Sequence, residues 1–145
     1  MRKLLIGLLL AAACTSRTAE IPQTSQEAGP RPALAAFLAA VRSSDLQAMS
    51  GVWGDKSGPV RDSRKMSRDD MEHRELIMMC YFRHDKYRIL GESPGPDSER
   101  VFQVELTKGT LRRTTNFYLT QGSDRWYVRY AEMDPVKDLC ADNKK

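Results

Sequence analysis

The spacing of apolar side chains changes once along the chain. Between residues 33 and 82 the apolar positions recur at intervals of three and four residues, and from residue 86 onward they alternate with polar positions. The first interval is typical of helices with one buried face, and the second is typical of strands with one buried face. The pattern predicts a helical first part of the domain and a β-rich second part.

The helical part begins with two predicted helices. Residues 33–43 form the first, because their large apolar side chains repeat at helical spacing. Ser44 or Asp45 suits the N-cap of a second short helix, since either side chain can accept a hydrogen bond from a free backbone N–H. That helix is predicted to end at one of two glycines, Gly51 or Gly54.

A third helix is predicted over residues 68–82, after a polar loop. Ser67 and Asp70 stand three residues apart at its start, in the spacing of a capping box. Its apolar side chains share one broad face, and they are Met71, Ile77, Met78, Tyr81 and Phe82. We expect this face to pack on the rest of the domain.

The second part of the domain predicts a sheet. Alternating runs indicate strands at residues 86–90, 100–107, 110–120 and 125–133. Residues 91–97 are predicted to form a loop. Lys108-Gly109 and Gly122-Ser123 stand between the last three strands as two-residue hairpin turns, which favour glycine.

Counting outward from these two turns predicts the strand register. The predicted pairs are Leu106 with Leu111, Phe117 with Val128 and Leu119 with Trp126 on one face, and Glu105 with Arg112 and Tyr118 with Tyr127 on the other. Phe102, Val104 and Tyr130 are predicted to share the first face. Because that face is mostly apolar, we expect it to be the core side of the sheet.

Three helices followed by about four antiparallel strands predict an α+β domain over residues 33–141, with the helices on one face of a curved sheet. At this point the chain resembles the nuclear-transport-factor-2-like superfamily, a cone-shaped fold that includes the ketosteroid isomerases. The resemblance covers about residues 31–140 and rests on the order of the elements and on the helix junction VRSSDLQAM. It implies a cone-shaped fold, whereas a function has to be argued from a site.

The N-terminus has a pattern of its own over residues 1–14. Arg2 and Lys3 precede an apolar stretch, residues 4–13, that ends at Cys14. Ten helical residues extend over roughly 15 Å, about half of a hydrocarbon core of about 30 Å. The stretch is too short to span a bilayer, and its three parts predict a secretory signal peptide.

Residues 10–14, LAAAC, resemble the lipobox of bacterial lipoproteins, with Ala11 in the place where leucine is usual. The resemblance implies that Cys14 is lipidated and anchors the protein to a membrane. Thr15, rather than an aspartate, follows the cysteine, which implies the periplasmic face of the outer membrane. The alternative is an ordinary signal peptide, which would leave Cys14 as an incidental thiol and the protein soluble in the periplasm or secreted.

The composition of the remaining chain limits its partners. Residues 15–32 contain one large aliphatic side chain and predict a flexible tether, and residues 142–145 predict a disordered tail. The whole chain has 23 basic and 19 acidic residues. Loss of Arg2 and Lys3 with the signal peptide leaves 21 against 19, which gives no basic patch of the kind that binds nucleic acid.

Export changes the interpretation of the other cysteines. Cys80 and Cys140 form an even pair in an oxidising compartment, so a disulfide is predicted, with two buried free thiols as the alternative. Cys80 and His84 also have the spacing of a thiolate and its base, although only the neighbouring Asp85 could act as the third group that orients the histidine. His73 and His84 lie eleven residues apart and outside any recognisable ligand set, so no metal or other cofactor is predicted.

A candidate pocket follows from the predicted register. Arg113 and Thr115 fall on the apolar face of the sheet together with Tyr130, where an arginine could bind a carboxylate or another anion. Trp53, at the end of the second helix, is a candidate wall of this pocket. In the alternative interpretation Arg113 reaches water or pairs with an acid on a helix, and Trp53 covers the core.

A candidate interface lies on the other face of the sheet. Tyr118, Tyr127, Arg112 and Arg129 are predicted there, and aromatic and arginine side chains are frequent in protein interfaces. The surface would suit a homodimer or another envelope protein. Cross-strand pairing alone would also account for these residues.

Catalytic carboxylates are hard to place in this pattern. Glu105 is predicted on the outer face and Asp124 in a turn, and three further acids lie outside the strands, namely Asp45, Asp55 and Asp62. The sequence therefore favours a membrane-anchored binding or accessory protein of the bacterial envelope, without catalysis, for a small apolar or anionic ligand or a protein partner. The alternative is a small-molecule isomerase or lyase working inside the cone.

Overall fold

The computed structural model describes residues 29–141. The predicted signal peptide with Cys14, the predicted tether as far as residue 28, and the predicted tail at residues 142–145 lie outside the described residues. Within the described part, none of the helices combines the length and the apolar character needed to cross a membrane.

The described chain is an α+β domain with four α-helices. They are α1 (Pro30–Ser43), α2 (Leu46–Val52), α3 (Arg68–Tyr81) and α4 (Lys137–Cys140). The first helix starts three residues earlier than predicted because Pro30 begins its first turn, where the missing N–H of proline costs no hydrogen bond.

Two polar side chains begin α2 and α3. Asp45 accepts a hydrogen bond of 2.9 Å from the backbone N–H of Ala48, so it is the N-cap of α2. Ser44 instead ends α1 in the left-handed conformation, with φ of 54°. Ser67 accepts a 3.1 Å hydrogen bond from the N–H of Asp70, which confirms it as the N-cap of α3.

A four-stranded antiparallel sheet follows the helices. It contains β3 (Lys86–Pro94), β4 (Arg100–Lys108), β5 (Leu111–Gln121) and β6 (Trp126–Ala131), in spatial order β3-β4-β5-β6. The strand β3 continues to Pro94 through an irregularity between Ile89 and Gly91, so part of the loop predicted for residues 91–97 is strand.

The predicted register between β4 and β5 was wrong by two residues. Leu106 lies opposite Arg113, and Lys108 lies opposite Leu111, so the turn contains Gly109 and Thr110. Gly109 has φ of 57°, a conformation that glycine adopts without strain and that hairpin turns favour. Side chains alternate with a period of two, so this shift leaves every residue on its predicted face.

An irregularity in β6 has a larger effect. Leu119 lies opposite Val128, but Tyr118 lies opposite Tyr130, so Arg129 is an extra residue in β6. A bulge of this kind reverses the faces of the residues beyond it. Tyr130 therefore lies on the face of Tyr118 rather than on the core face. The predicted pairings of Leu119 with Trp126, Phe117 with Val128 and Tyr118 with Tyr127 were all wrong, because β5 and β6 are joined by four residues, 122–125, rather than by a two-residue turn.

The predicted polar loop between α2 and α3 contains a small hairpin, β1 (Gly54–Asp55) and β2 (Gly58–Pro59). A Cβ atom at Gly54 would lie 2.3 Å from the carbonyl oxygen of Gly58, so only glycine permits this close approach. Trp53, just before the hairpin, forms a parallel bridge with Val128 of β6. The hairpin is thereby held beside the last strand of the sheet.

The core lies between the helices and one face of the sheet. Phe37 of α1, Phe82 at the end of α3 and Phe117 of β5 are fully buried, with ring centroids 5.1 to 6.2 Å apart. The predicted apolar face of α1 is confirmed, since its large side chains are all buried, namely Leu34, Phe37, Leu38 and Val41.

The predicted buried face of α3 is displaced around the helix. Glu75, Met79 and the capping residue Phe82 are buried, whereas Ile77 has 37 % of its surface exposed and Leu76 has 56 %. The packing of α3 against its neighbours therefore buries the Glu75 carboxylate and leaves the large apolar side chains of Leu76 and Ile77 partly exposed. Buried acids and exposed large apolar side chains are unusual, and such exceptions occur most often at functional sites, so α3 is a candidate to contribute to one.

A disulfide joins Cys80, in the last turn of α3, to Cys140 in α4. Their Cα atoms lie 4.7 Å apart, although 60 positions separate them in the sequence. The predicted pairing is confirmed. A loop of this length corresponds to about 4 kcal/mol of stabilisation in the chain-entropy description.

Candidate ligand-binding cavity

A cavity of about 550 Å³ lies between α3 and β6. Most of its lining is apolar or aromatic, comprising Phe37, Trp53, Ile77, Met78, Phe82, Val128, Tyr130, Ala131 and Met133. The other lining residues are His73, Arg74 and Arg129. Its volume falls in the range of small-molecule sites, which are mostly apolar with a few polar groups that orient the ligand.

Helical spacing explains how α3 contributes its side of the cavity. Arg74, Ile77 and Met78 stand at positions i, i+3 and i+4, so they lie on one face of the helix. The pattern of large apolar residues on α3 could have indicated this wall. The same helical spacing could have indicated Arg74 as well, but not that this face of α3 would lie beside a cavity.

The strand β6 contributes the opposite wall through its bulge. Val128 and Ala131 are buried on the core side, while Arg129 at the bulge and Tyr130 directly after it also line the cavity. Because β6 is the last strand of the sheet, no further strand of the four covers its outer edge. Trp53 closes this side through its bridge to Val128.

The charged groups of the cavity are two arginines, Arg74 and Arg129, and no carboxylate lines it among the described residues. His73 is a further polar lining residue. Arg129 forms a two-armed ion pair with the buried carboxylate of Glu99, including a 3.1 Å bond from Nη2 to Oε2. Arg74 has no ion-pair partner within residues 29–141. The cavity therefore favours an anionic group near Arg74.

Ion pairing and hydrogen bonding fix the groups around Arg129 and Tyr130. The Glu99 carboxylate holds the pKa of Arg129 above its ordinary value. The rings of Tyr118 and Tyr130 have centroids 5.5 Å apart, and the Tyr118 hydroxyl donates a 2.9 Å hydrogen bond to Glu132. That bond raises the pKa of Tyr118. Tyr130 itself is 49 % exposed, so one side of its ring remains open.

The candidate pocket residues from the sequence separate into two groups. Trp53 and Tyr130 line the cavity, whereas Arg113 and Thr115 do not. Arg113 Nε donates a 2.7 Å hydrogen bond to Asp138 of α4, the helix-acid pairing that the sequence left as an alternative. This arginine lowers the pKa of the Asp138 carboxyl. The hydroxyl of Thr115 donates to the backbone carbonyl of Glu132.

The candidate interface residues do not share one surface. Tyr118 lies on the outer face of the sheet beside Tyr130, while Arg112 is exposed next to the turn between β4 and β5. Arg129 belongs to the cavity. Tyr127 is fully buried, and its hydroxyl donates a 2.7 Å hydrogen bond to Asp124. This side chain is therefore not exposed to a partner protein.

Two buried titratable groups lie outside the cavity lining. Glu75 is 1 % exposed, and burial, with repulsion from Glu72 second, raises its pKa to about 7. Neither of its carboxylate oxygens has a hydrogen-bond partner in the described part of the chain. His84 is also buried, which lowers its pKa, and its Nδ1 lies 2.8 Å from the carbonyl oxygen of Phe82.

Cys80 and His84 cannot act as a thiolate and its base in this structure, because the sulfur of Cys80 is bonded to that of Cys140. Across residues 29–141, no group of three or more histidine, cysteine or acidic side chains is arranged to hold a metal ion.

The chain matches no protein-family model, no curated protein and no solved structure.

Proposed function

We propose that this protein binds a small anionic amphiphile in the cavity between α3 and β6, as a non-catalytic binding protein of the bacterial cell envelope. The observation that carries the proposal is a cavity of about 550 Å³ with mainly apolar walls, two arginines and no carboxylate among its described lining residues. The apolar part of the ligand packs on Met78 and Phe82. Its anionic end lies near Arg74.

Two contributions to the binding free energy favour an anionic amphiphile, namely burial of its apolar part and contact of its anion with an arginine. Each methylene group removed from water contributes about 0.8 kcal/mol, or about a fourfold gain in affinity. An anion beside a guanidinium forms charge-assisted hydrogen bonds, which are stronger than neutral ones. Arg74 is the better candidate for this contact because Arg129 is already neutralised by Glu99. Apolar area therefore supplies affinity, and Arg74 orients the ligand.

We further propose that a lipid on Cys14 anchors the protein to the periplasmic face of the outer membrane. The proposal rests on the basic and apolar residues 1–13 and on the lipobox-like segment LAAAC at residues 10–14. The disulfide between Cys80 and Cys140 supports export, since disulfides persist in oxidising compartments. An anchored binding protein would meet amphiphilic molecules at the membrane surface.

The finer fold assignment also remains our proposal. We propose that residues 31–140 form a nuclear-transport-factor-2-like cone, in which the helices cover the concave face of the sheet. The order of helices before an antiparallel four-stranded sheet supports it, as does a cavity between helix and sheet. An experimental structure with the cavity opening away from the concave face would contradict this assignment.

The isomerase alternative requires a carboxylate in the cavity. Glu75 has the raised pKa that a general base needs, but it is not among the residues that line the cavity. It also lacks a hydrogen bond to any tyrosine in the described chain. Binding without catalysis therefore accounts for more of the site.

Charge reversal at Arg74 tests the proposed function. We expect Arg74→Glu to weaken binding of dodecanoate about tenfold or more, because a carboxylate then faces a carboxylate. Binding of dodecanol, which has no charge, should change much less. Isothermal titration calorimetry measures both affinities. Arg83→Glu is the matched control, since Arg83 follows α3 and lies outside the cavity lining.

Two neighbouring apolar residues test the walls of the cavity. Ile77→Asp should weaken both ligands, whereas Leu76→Asp should weaken neither, because Ile77 lines the cavity and Leu76 does not. Both side chains are partly exposed on the same helix, so the variants disturb α3 to a similar degree. Equal effects of the two substitutions, or an unchanged dodecanoate affinity in Arg74→Glu, would contradict the proposed site.

A further inference from the structure

Four large apolar side chains are exposed in the described part of the chain, and two of them line the cavity between α3 and β6. Ile77 of α3 has 37 % of its surface exposed, and Tyr130 of β6 has 49 %. Leu76, which precedes Ile77 in α3, is 56 % exposed, and the fourth is Leu90 in β3. Most of the exposed large apolar side chains are therefore found beside the cavity.

The cavity has a buried floor and an exposed rim. Phe37 and Phe82 line it with none of their surface exposed. Ile77 and Tyr130 line it with more than a third of their surface exposed, one from the helix and the other from the strand. Solvent therefore reaches the cavity between these two side chains. We call Leu76, Ile77 and Tyr130 the rim of the cavity.

A basic group accompanies this rim. Arg74 is exposed, lines the cavity and has no ion-pair partner within residues 29–141. Between residues 73 and 81 of α3 the only acid is Glu75, and it is buried. Asp69 and Asp70 lie in the first turn of the helix, about 10 Å along its axis from the rim. The charge that the rim presents to a partner is therefore that of Arg74.

The neighbouring acids already have partners within the protein. Glu72 lies 2.8 Å from Arg68, and Asp134 lies 3.2 Å from Lys137. Glu132 accepts hydrogen bonds from two side chains on the outer face of the sheet. Repulsion of an anionic surface by these carboxylates is therefore reduced near the rim.

Exposed apolar side chains next to a cation are typical of surfaces that bind the membrane interface. Aliphatic and aromatic groups enter the boundary between head groups and acyl chains, while an arginine contacts lipid phosphate. An apolar patch alone would also suit a protein partner. The unpaired Arg74 and the apolar cavity behind the rim favour a lipid surface instead.

We propose that the rim of the cavity docks on a membrane surface that contains anionic phospholipid, so that the ligand passes between the membrane and the cavity without crossing bulk water. The inference rests on the proposed function, because it names the source from which the cavity takes its amphiphile. Arg74 attracts the anionic surface before docking and receives the anionic end of the ligand afterwards.

An environment-sensitive dye at position 76 tests the docking. In the Cys14→Ser background Cys80 and Cys140 are joined by their disulfide, so Leu76→Cys supplies the single free thiol of the chain. We expect the fluorescence of nitrobenzoxadiazole at position 76 to rise severalfold when vesicles of phosphatidylglycerol and phosphatidylcholine are added. Leu90→Cys is the matched control, because Leu90 is 43 % exposed in β3, at the opposite edge of the sheet from β6.

The affinity for these vesicles gives a second measurement in the same background. Leu76→Ser should weaken vesicle binding about fivefold, because part of a leucine side chain is no longer removed from water, and Leu90→Ser should not. Neither leucine lines the cavity, so both variants should bind dodecanoate with unchanged affinity. Vesicles of phosphatidylcholine alone should bind more weakly, and added salt should reduce this difference because it screens Arg74.

The outcomes separate this inference from the proposed function. Unchanged fluorescence at position 76, equal changes at positions 76 and 90, or equal vesicle affinities of the two serine variants would overturn the docking. A fluorescence change that follows protein concentration without vesicles would assign the rim to a second copy of the chain and overturn it as well. In each case the proposed function stands if dodecanoate binding depends on Arg74. If vesicles bind at the rim and dodecanoate does not bind, the proposed function and the passage of ligand both fail.

Discussion

Glu75 is an acidic residue in an apolar environment. It lies in α3 with 1 % of its surface exposed, and both carboxylate oxygens lack a hydrogen-bond partner in the described chain. Burial raises its pKa to about 7 from an ordinary value of 4.5. The folded protein therefore retains this proton between these two pH values, where the unfolded chain has released it. Stability from this group is highest below about pH 4.5 and decreases as the pH rises to about 7.

Glu75→Gln should remove this part of the pH dependence. At pH 8 we expect the variant to have a free energy of unfolding up to about 3 kcal/mol higher than the wild type, because no buried charge forms. At pH 4 the two proteins should differ by much less. Urea denaturation at several pH values measures the difference. Asp134→Asn is the control, because its ion pair with Lys137 is exposed and lies away from Glu75 in the sequence, so it should contribute little at any pH. Parallel pH profiles for wild type and Glu75→Gln would show that the buried carboxylate does not control stability.

At the scale of elements, the bulge in β6 determines one wall of the site. A regular strand would place Tyr130 on the core face, as the alternating sequence predicts. The extra residue, Arg129, reverses this direction, brings Tyr130 beside Tyr118, and itself lines the cavity. Its ion pair with Glu99, a buried carboxylate, holds this arrangement.

The disulfide acts at the same scale, because it ties the last turn of α3 to α4. Replacement of Cys80 and Cys140 together by alanine should lower the free energy of unfolding by about 4 kcal/mol, with a range of 2 to 5 kcal/mol. Urea denaturation of the oxidised wild type and the double variant measures this loss. Reduction of the wild type should produce a similar loss, while Cys14→Ser should have no effect. Equal denaturation midpoints with and without reductant would mean that the bond contributes little.

At the scale of the whole molecule, the proposed lipid anchor separates the location of the protein from its binding chemistry. Cells grown with an alkyne-bearing fatty acid should label the wild type and should not label Cys14→Ser, because the anchor requires the cysteine thiol. The variant should leave the membrane fraction and still bind dodecanoate when purified. Thr15→Ser is a neighbouring control that should retain both label and membrane. An unlabelled wild type with a Cys14 thiol open to alkylation would support the ordinary signal peptide instead.

Local pattern was sufficient for most of the elements. The spacing of Leu34, Phe37, Leu38 and Val41 predicted the buried face of α1, and Ser67 predicted the start of α3. The alternation in β4 and β5 predicted which side chains face the core, even though the turn itself was misplaced. These features depend on residues close in sequence, because helical and strand periods determine the direction of each side chain. The Cys80–Cys140 pairing was predicted by counting cysteines in an exported chain.

The site depended on contacts between distant segments. Trp53, Arg74 and Arg129 come from three parts of the chain, and they meet only because α3 packs beside β6 and the hairpin lies at the edge of the sheet. Arg113, the sequence-based candidate, is instead paired with Asp138. The sequence by itself determined the α+β class, the buried face of α1, the faces of the central strands and the cysteine pairing, but not α4 or the buried face of α3. Only the tertiary structure decided the bulge, the burial of Glu75 and the cavity between α3 and β6, because each depends on how elements pack rather than on any local period.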